Sequence, residues 1–302
     1  MTFISNFLGL ARVNCFSGLL ERIERIDSSQ KVFIDGGAGL GETVAKILKS
    51  TSTNSGPIVA FEPNPANIKA FRIKDQRLIL IDEALSSISG TAEFAVTSKT
   101  KADDQRKNCY LQEGTSFVGK LSSHSGVSAP LNAEIYQVRT NRLDRALADS
   151  GLSQADFIKL DLQGAETEAL EGLGSLISTV KWMWIEFSNQ PGLLEYLSSN
   201  GFILFDTEYL FVGRPSDLIR ELFIIIREGR NSIGKDIFFG YRRHVWRDYE
   251  KAFRFAFSKR RMIQTDLVAV APCYLSIFLE AAIDMIESSR EHLEWEIPRN
   301  LF

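Results

Sequence analysis

The chain has 302 residues, 44% of them hydrophobic and 24% charged, which is enough for one large α/β domain with an insertion or for two domains. Its 35 basic and 38 acidic residues leave a net charge of −3, which argues against a protein that binds nucleic acid over its whole surface. Cys15, Cys109 and Cys273 stand far apart, with no CxxC and no histidine at metal-ligand spacing, so no disulfide framework is expected and a reducing cytoplasm is the expected compartment.

Taken in chain order, residues 1–30 form a helical segment. Phe3, Phe7, Leu10, Phe16, Leu19, Leu20 and Ile23 recur at helical spacing around Arg12, which suits an amphipathic helix on the core better than a signal peptide or a membrane anchor. No run of about 18 apolar residues occurs, so no transmembrane segment is expected. Short apolar strands then alternate with helical patterns. Val32–Asp35 reads as a strand, Glu42–Ser50 as a helix, Ile58–Glu62 as a strand, Pro65–Lys74 as a helix and Leu78–Asp82 as a strand. Thr91–Val96 reads as a strand or edge ribbon, and the polar stretch Thr97–Ala133 as a loop over the strand edge. Strand Phe157–Asp161, helix Ala165–Leu173, strand Trp182–Phe187, helix Leu193–Ser199 and strand Phe202–Phe205 follow. TDLVAV, from Thr265, reads as the last strand.

Such alternation predicts a doubly wound, mostly parallel α/β sheet with ligands outside the carboxyl ends of its strands. The expected domains are the N-terminal helical segment 1–30, a core over 31–211, a helical insertion over 212–264, and a last strand and helix over 265–302 that complete the core.

Three strands end in an acid, at Asp35, Glu62 and Asp161, and a fourth carries Glu186 near its end. Gathered at one sheet edge, they would crowd negative charge that a ligand or hydrogen-bond donors must answer. After the first strand comes VFIDGGAGLGET, residues 32–43. Glycine permits the positive φ of a sharp strand-to-helix turn, and a missing Cβ lets a ligand lie against backbone N–H groups. No register of this stretch satisfies GxGxxG, and what stands there is Asp-x-Gly-x-Gly-x-Gly. Some twenty residues on, Glu62 is placed to accept hydrogen bonds from ribose hydroxyls, a feature shared by nicotinamide and S-adenosylmethionine cofactors.

The Asp-Gly loop resembles the cofactor loop of class I S-adenosylmethionine-dependent methyltransferases. Together with VAFEPNP and FIKLDLQGAETEALEGL, residues 157–173, it resembles the FkbM-type methyltransferase family, from about Val32 to Phe187. The resemblance implies a Rossmann-like fold, S-adenosylmethionine as cofactor, and O-methylation of a sugar, glycan or secondary-metabolite hydroxyl. The family's usual segment is close to IKIDVEGAELEVLKG. Asp161, Gly164, Ala165 and Glu166 match it, whereas Gln163 stands where the family often has Glu, and Gln163 is given no catalytic role.

On this reading Asp35, Gly37, Gly39, Gly41, Glu62, Asp82 and Glu83 form the cofactor site. Asp35 is expected near the methionine end of the cofactor, and Asp82 and Glu83 near its adenine. A hydroxyl acceptor must lose a proton, and Asp161, Glu186 and the loop histidine His124 are the candidate bases, with Glu166 supporting. The acids of Glu166 and Glu168 also suit a first helical turn for reasons of helix dipole alone. Mg²⁺ is not favoured, because no ligand spacing demands it, and no metal ligand is assigned.

The inserted stretch places Trp246, Tyr249, Phe253 and Phe257 among Arg242, Arg243, Arg247, Lys251 and Arg254. It reads as a helix packed on the body or a partner copy in a homo-oligomer, as a lid recognising an anionic acceptor, or as a membrane-surface patch. Two rival readings stand beside the methyltransferase: an NAD-dependent Rossmann oxidoreductase, and a methyltransferase-like protein that binds without catalysis.

Overall fold

The computed structural model describes residues 15–97, 116–118, 133–187, 192–206 and 265–293. In chain order the elements are α1 (Cys15–Ile26), β1 (Phe33–Gly36), α2 (Glu42–Ser50), β2 (Ile58–Phe61), α3 (Pro65–Ala70), β3 (Leu78–Ile81), β4 (Ala84–Leu85), β5 (Gly90–Thr97) and β6 (Ser116–Val118). Then follow β7 (Ala133–Asn141), α4 (Leu143–Asp149), β8 (Phe157–Leu160), α5 (Glu166–Glu171), a 3₁₀ turn (Gly174–Thr179), β9 (Trp182–Phe187) and α6 (Leu193–Ser199). The last described elements are β10 (Ile203–Asp206), β11 (Thr265–Val270), a 3₁₀ turn (Pro272–Tyr274) and α7 (Leu275–Leu293). Two compact units divide it, one of residues 30–196, the other of residues 1–29 with 197–302.

The unit of residues 30–196 is built on parallel strands in the order β9-β8-β1-β2-β3. FIDG, IVAF and WMWIEF are buried along their whole length, as expected for parallel strands covered on both faces, whereas LILI of the edge strand β3 is only half-buried. Phe157 packs on Trp182 at 4.4 Å between ring centroids and on Phe33 at 6.1 Å. The chain runs outward from β1 through β2 to β3, and β8 then pairs on the other side of β1. The strand order therefore reverses between β1 and β8, and the crevice outside those two carboxyl ends is the ligand position of such sheets.

The helix α3 is shorter than its predicted span of Pro65–Lys74. It ends with Phe71 in an extended conformation, and Phe71 and Ile73 come to lie over the glycine loop, where a Cβ on Gly41 would meet Ile73 Cδ1 at 2.5 Å and Phe71 Cζ at 2.8 Å. Tertiary packing thus overrides a local preference for helix. The start of α3 is capped by Asn64, whose side-chain oxygen accepts from Ala66 N at 2.9 Å. Asn64→Ala is expected to cost about 1 kcal/mol in urea unfolding. No measurable loss would remove the cap from the account of this helix.

A second sheet in the same unit has the order β4-β7-β5-β6, with β5 and β7 antiparallel from Gly90 opposite Thr140 to Thr97 opposite Ala133. Ala92, Phe94 and Val138 are buried with Ala84 between its strands. Part of the stretch read as a loop is therefore strand, since Phe117 pairs opposite Ala95.

In the other unit, α1 lays Phe16, Leu19, Leu20 and Ile23 into a core shared with Phe278, Ala281 and Ala282 of α7. Arg22 Nε reaches Asp284 at 2.6 Å, and the Tyr274 hydroxyl donates to Asp27 at 2.8 Å. β10 and β11 pair antiparallel, with Phe205 opposite Val268. Among the described residues no helix is long and apolar enough to cross a membrane.

Candidate functional site

The site grows out of the ends of β1, β2, β8 and β9. Asp35 is the third residue of β1 and is 0% exposed. Neither of its carboxylate oxygens has a hydrogen-bond partner, and the Lys159 ammonium stands 3.8 Å away. Burial pushes the carboxyl from 3.8 up to about 6, opposed by Lys159 and reinforced by the charge of Asp161. Lys159 pairs with Asp35 along the sheet, and its Nζ also lies 3.3 Å from Asp161 Oδ2. Burial alone would lower the lysine, but the facing carboxylates of Asp35, Asp161 and Glu186 outweigh it and hold Lys159 above its ordinary value.

The glycine loop leaves β1 with positive φ at Gly37 (78°), Gly39 (56°) and Gly41 (93°). At Gly37 a Cβ would sit 2.1 Å from the carbonyl oxygen of Asp161, so this residue must be bare for β1 and β8 to close together. Glu62 braces the same loop from the end of β2. Its Oε2 accepts from Gly39 N at 2.7 Å and its Oε1 from Asn64 N at 2.8 Å, with the residue 4% exposed. Burial raises its carboxyl, and the two backbone donors counteract part of that rise. The acid read as a ribose acceptor thus also shapes the glycine loop, a role that spacing alone did not reveal.

At the other side of the switch point, Leu160 pairs with Ile185, which brings Asp161 and Glu186 to the same level one residue later. Between them stands Gln163, the non-glycine residue with positive φ (56°) among the described residues. Its Nε2 donates to Asp161 Oδ1 at 2.9 Å and to Glu186 Oε2 at 2.9 Å. Sequence reasoning set Gln163 aside because it lacks charge. The signal that could have found it is its position two residues after a strand-end acid, where an amide can donate twice.

Glu166, expected to support catalysis, is 0% exposed, and its carboxylate accepts from the backbone N–H groups of Leu162 at 2.8 Å and Gly164 at 3.0 Å. It fixes the 162–164 turn that carries Gln163. Asp82 and Glu83 are both turned to β7: Arg139 pairs with Asp82 at 2.5 Å and with Glu83 at 3.4 Å, and Asn141 Nδ2 donates to Glu83 at 2.9 Å. His124 and the stretch 212–264 lie outside the described residues.

The donor set fits a nucleoside cofactor that brings positive charge. The N–H groups of Gly37, Gly39 and Gly41 are bonded to Phe61 O, Glu62 Oε2 and Ala38 O, so what the loop offers is a backbone free of side chains, and the buried Asp35, without a hydrogen bond, offers an acceptor beside it. Residues 35–204 match the methyltransferase FkbM domain, which is more than half of the chain. The chain belongs to the FkbM methyltransferase family. The FkbM domain ends at residue 204, within β10, so the stretch 212–264 lies beyond it.

A 2-O-methyltransferase, NoeI of Sinorhizobium fredii, is 25% identical over 177 residues, which are 56% of this chain and 68% of NoeI. Among solved structures, the methyltransferase FkbM of Methylobacillus flagellatus is similar with a TM-score of 0.38 and 16% identity, over 59% of this chain and 40% of that one, so the chain spans less than half of that protein's length. An O-methyltransferase structure from Klebsiella pneumoniae gives a TM-score of 0.33 and 9% identity over 88% of this chain and 86% of that one.

Proposed function

We propose that this FkbM-family methyltransferase transfers a methyl group from S-adenosylmethionine to a hydroxyl of a sugar, a glycan or a similar small polyhydroxylated molecule. The observation that carries the reading is the pairing of a bare glycine loop, braced by Glu62, with Asp161 across the β1/β8 switch point. The O-methyltransferase name of the relative NoeI supports an oxygen acceptor.

When bound, the cofactor supplies a methyl group on a positively charged sulfur, which leaves as a neutral thioether. The backbone of Gly37, Gly39 and Gly41 would border it, Asp35 would meet its cationic methionine end, and Glu62 would accept from its ribose. Asp82 and Glu83 would flank its adenine. Lys159 sits between Asp35 and Asp161 and supplies the positive charge that keeps both carboxylates tolerable in a buried place. Asp161, with 41% of its side chain exposed, aligns the acceptor hydroxyl and takes its proton. The arginines of the stretch 212–264 suit phosphate or carboxylate on an anionic acceptor.

Calorimetric titration of the chain with S-adenosylmethionine, S-adenosylhomocysteine and NAD tests the reading. Micromolar binding of the first two is expected, weakened at least about tenfold in Glu62→Ala, which loses acceptors for both cofactor and loop. Silence from folded protein, or heat with NAD alone, would overturn it.

A further inference from the structure

The proton released by a hydroxyl acceptor needs a destination, and four side chains at the ends of β8 and β9 are arranged around that need. Gln163 Nε2 is 2.9 Å from Asp161 Oδ1 and 2.9 Å from Glu186 Oε2. An amide nitrogen has two hydrogens and nothing to accept with, so both carboxyl groups receive from the same side chain. Its backbone is held left-handed at φ 56°, a conformation that disfavours a side chain by about 1 kcal/mol, so the loop retains Gln163 where glycine would be easier. Glu166 secures that loop by binding the N–H groups of Leu162 and Gly164.

Two carboxyl groups that meet the same amide nitrogen at 2.9 Å, with that of Glu186 buried, do not ionise independently. The neighbours decide which acid stays ionised. Burial pushes the Asp161 carboxyl up, but the Lys159 ammonium and hydrogen bonds from Glu186 and Gln163 outweigh burial and hold it below the usual range. Asp161 is thus the ionised member of the pair, beside Glu186, which is 8% exposed. Among the described residues, the charged groups facing the pair include Lys159 and, beyond it, Asp35.

We propose that Gln163 is a positioning residue whose amide holds Asp161 and Glu186 as one coupled pair, and that Asp161, the ionised member of that pair, receives the proton of the acceptor hydroxyl. The geometry stands by itself, while the chemical role rests on the methyl-transfer reading. As the hydroxyl oxygen takes the methyl group, its O–H bond breaks and the bonding electrons stay on oxygen. The proton forms a new O–H bond on Asp161, which becomes neutral, and the exposed edge of Asp161 returns it to water.

The test is a pH titration of the full chain, with the side-chain carboxyl carbons of aspartate and glutamate labelled and followed by NMR from about pH 2 to 9, so that the lowered midpoint of Asp161 falls inside the range. Signals are assigned by their loss in Asp161→Asn and Glu186→Gln. In the wild type both carbons should report the same two midpoints, separated by more than about one pH unit. Gln163→Gly suits the left-handed backbone and removes only the amide, so each carbon should then follow a single midpoint of its own. Gln163→Asn also tolerates this backbone, and its amide is too short to span both acids, so it should give the same loss. Independent single midpoints in the wild type would overturn the pair, and shared midpoints unchanged in both Gln163 variants would overturn the role of Gln163. Calorimetry with S-adenosylhomocysteine on the same samples separates the two readings. Binding without shared midpoints removes the pair alone, and shared midpoints without binding remove the methyl-transfer reading alone.

Discussion

Gly37→Ala is expected to lower stability by about 2–5 kcal/mol and to abolish binding of S-adenosylhomocysteine. Two effects add. The residue sits at φ 78°, where a side chain costs roughly 1–2 kcal/mol, and its Cβ would stand 2.1 Å from the Asp161 carbonyl oxygen. No rotamer relieves a clash with backbone, so the ends of β1 and β8 must separate, and overpacking of this kind costs a further 1–3 kcal/mol or so. Gly151 provides the control: its φ is 74°, yet nothing lies within 4 Å of its would-be Cβ. Gly151→Ala should therefore show the conformational cost alone, about 1 kcal/mol in urea unfolding. Equal losses in the two variants would show that the close approach to Asp161 does not decide the matter. Because the same movement displaces Asp161, the site and the strand pairing should fail together.

The second large effect is on the pH dependence of stability. Asp35 is fully buried without a hydrogen-bond partner, and burial pushes its carboxyl from 3.8 to about 6. An acid raised on folding binds more protons in the native than in the unfolded state between those values, so stability falls as pH rises through them. Its favourable contribution is complete below pH 3.8 and is lost above about pH 6, an interval worth roughly 3 kcal/mol. The groups that face it are Lys159 and Asp161 on the β8 side, Lys46 of α2 and Glu62 at the end of β2. Urea midpoints of the wild type and Asp35→Asn, measured from pH 4 to 8, should therefore converge or diverge steadily, with the wild type gaining relative to the variant towards low pH. Parallel curves would mean that Asp35 is solvated or paired in solution. At neutral pH the ionised Asp35 has the Lys159 ammonium 3.8 Å away but no hydrogen bond, and a donating or cationic ligand group would relieve the remaining cost of its burial.

Much of this architecture was legible in the chain because buried parallel strands read as unbroken apolar runs. FID, AFE, IKLD and WMWIEF each announce a strand and end near an acid. What was not legible depended on contacts distant in sequence. The end of α3 is set by Phe71 and Ile73 covering Gly41, about thirty residues earlier in the chain, and no local pattern carries that information. β6 lies within a polar stretch, and β7 and α4 were not anticipated, because the second sheet exposes alternate residues such as Thr91, Glu93, Ile135 and Gln137. At the site the types of residue were visible and their partners were not. Glu62 was legible as a strand-end acid, but its hold on Gly39 N was not. Asp82 and Glu83 were read towards a ligand, while their salt bridges run to Arg139. Gln163 was undervalued because loss of charge was weighed and the geometry of a two-hydrogen donor was not.

The reversal of strand order between β1 and β8 also divides the protein's labour in a way that bears on redesign. The residues assigned to the methyl donor lie before residue 84, and the acids assigned to the proton lie after residue 160. Exchange of the later half between relatives is therefore a route to new acceptors with an unchanged donor. The graft has one mechanical condition, since the Asp161 carbonyl rests where a side chain at position 37 would be. Any transplanted β8 must meet a glycine there, which makes Gly37 the compatibility mark between the two halves.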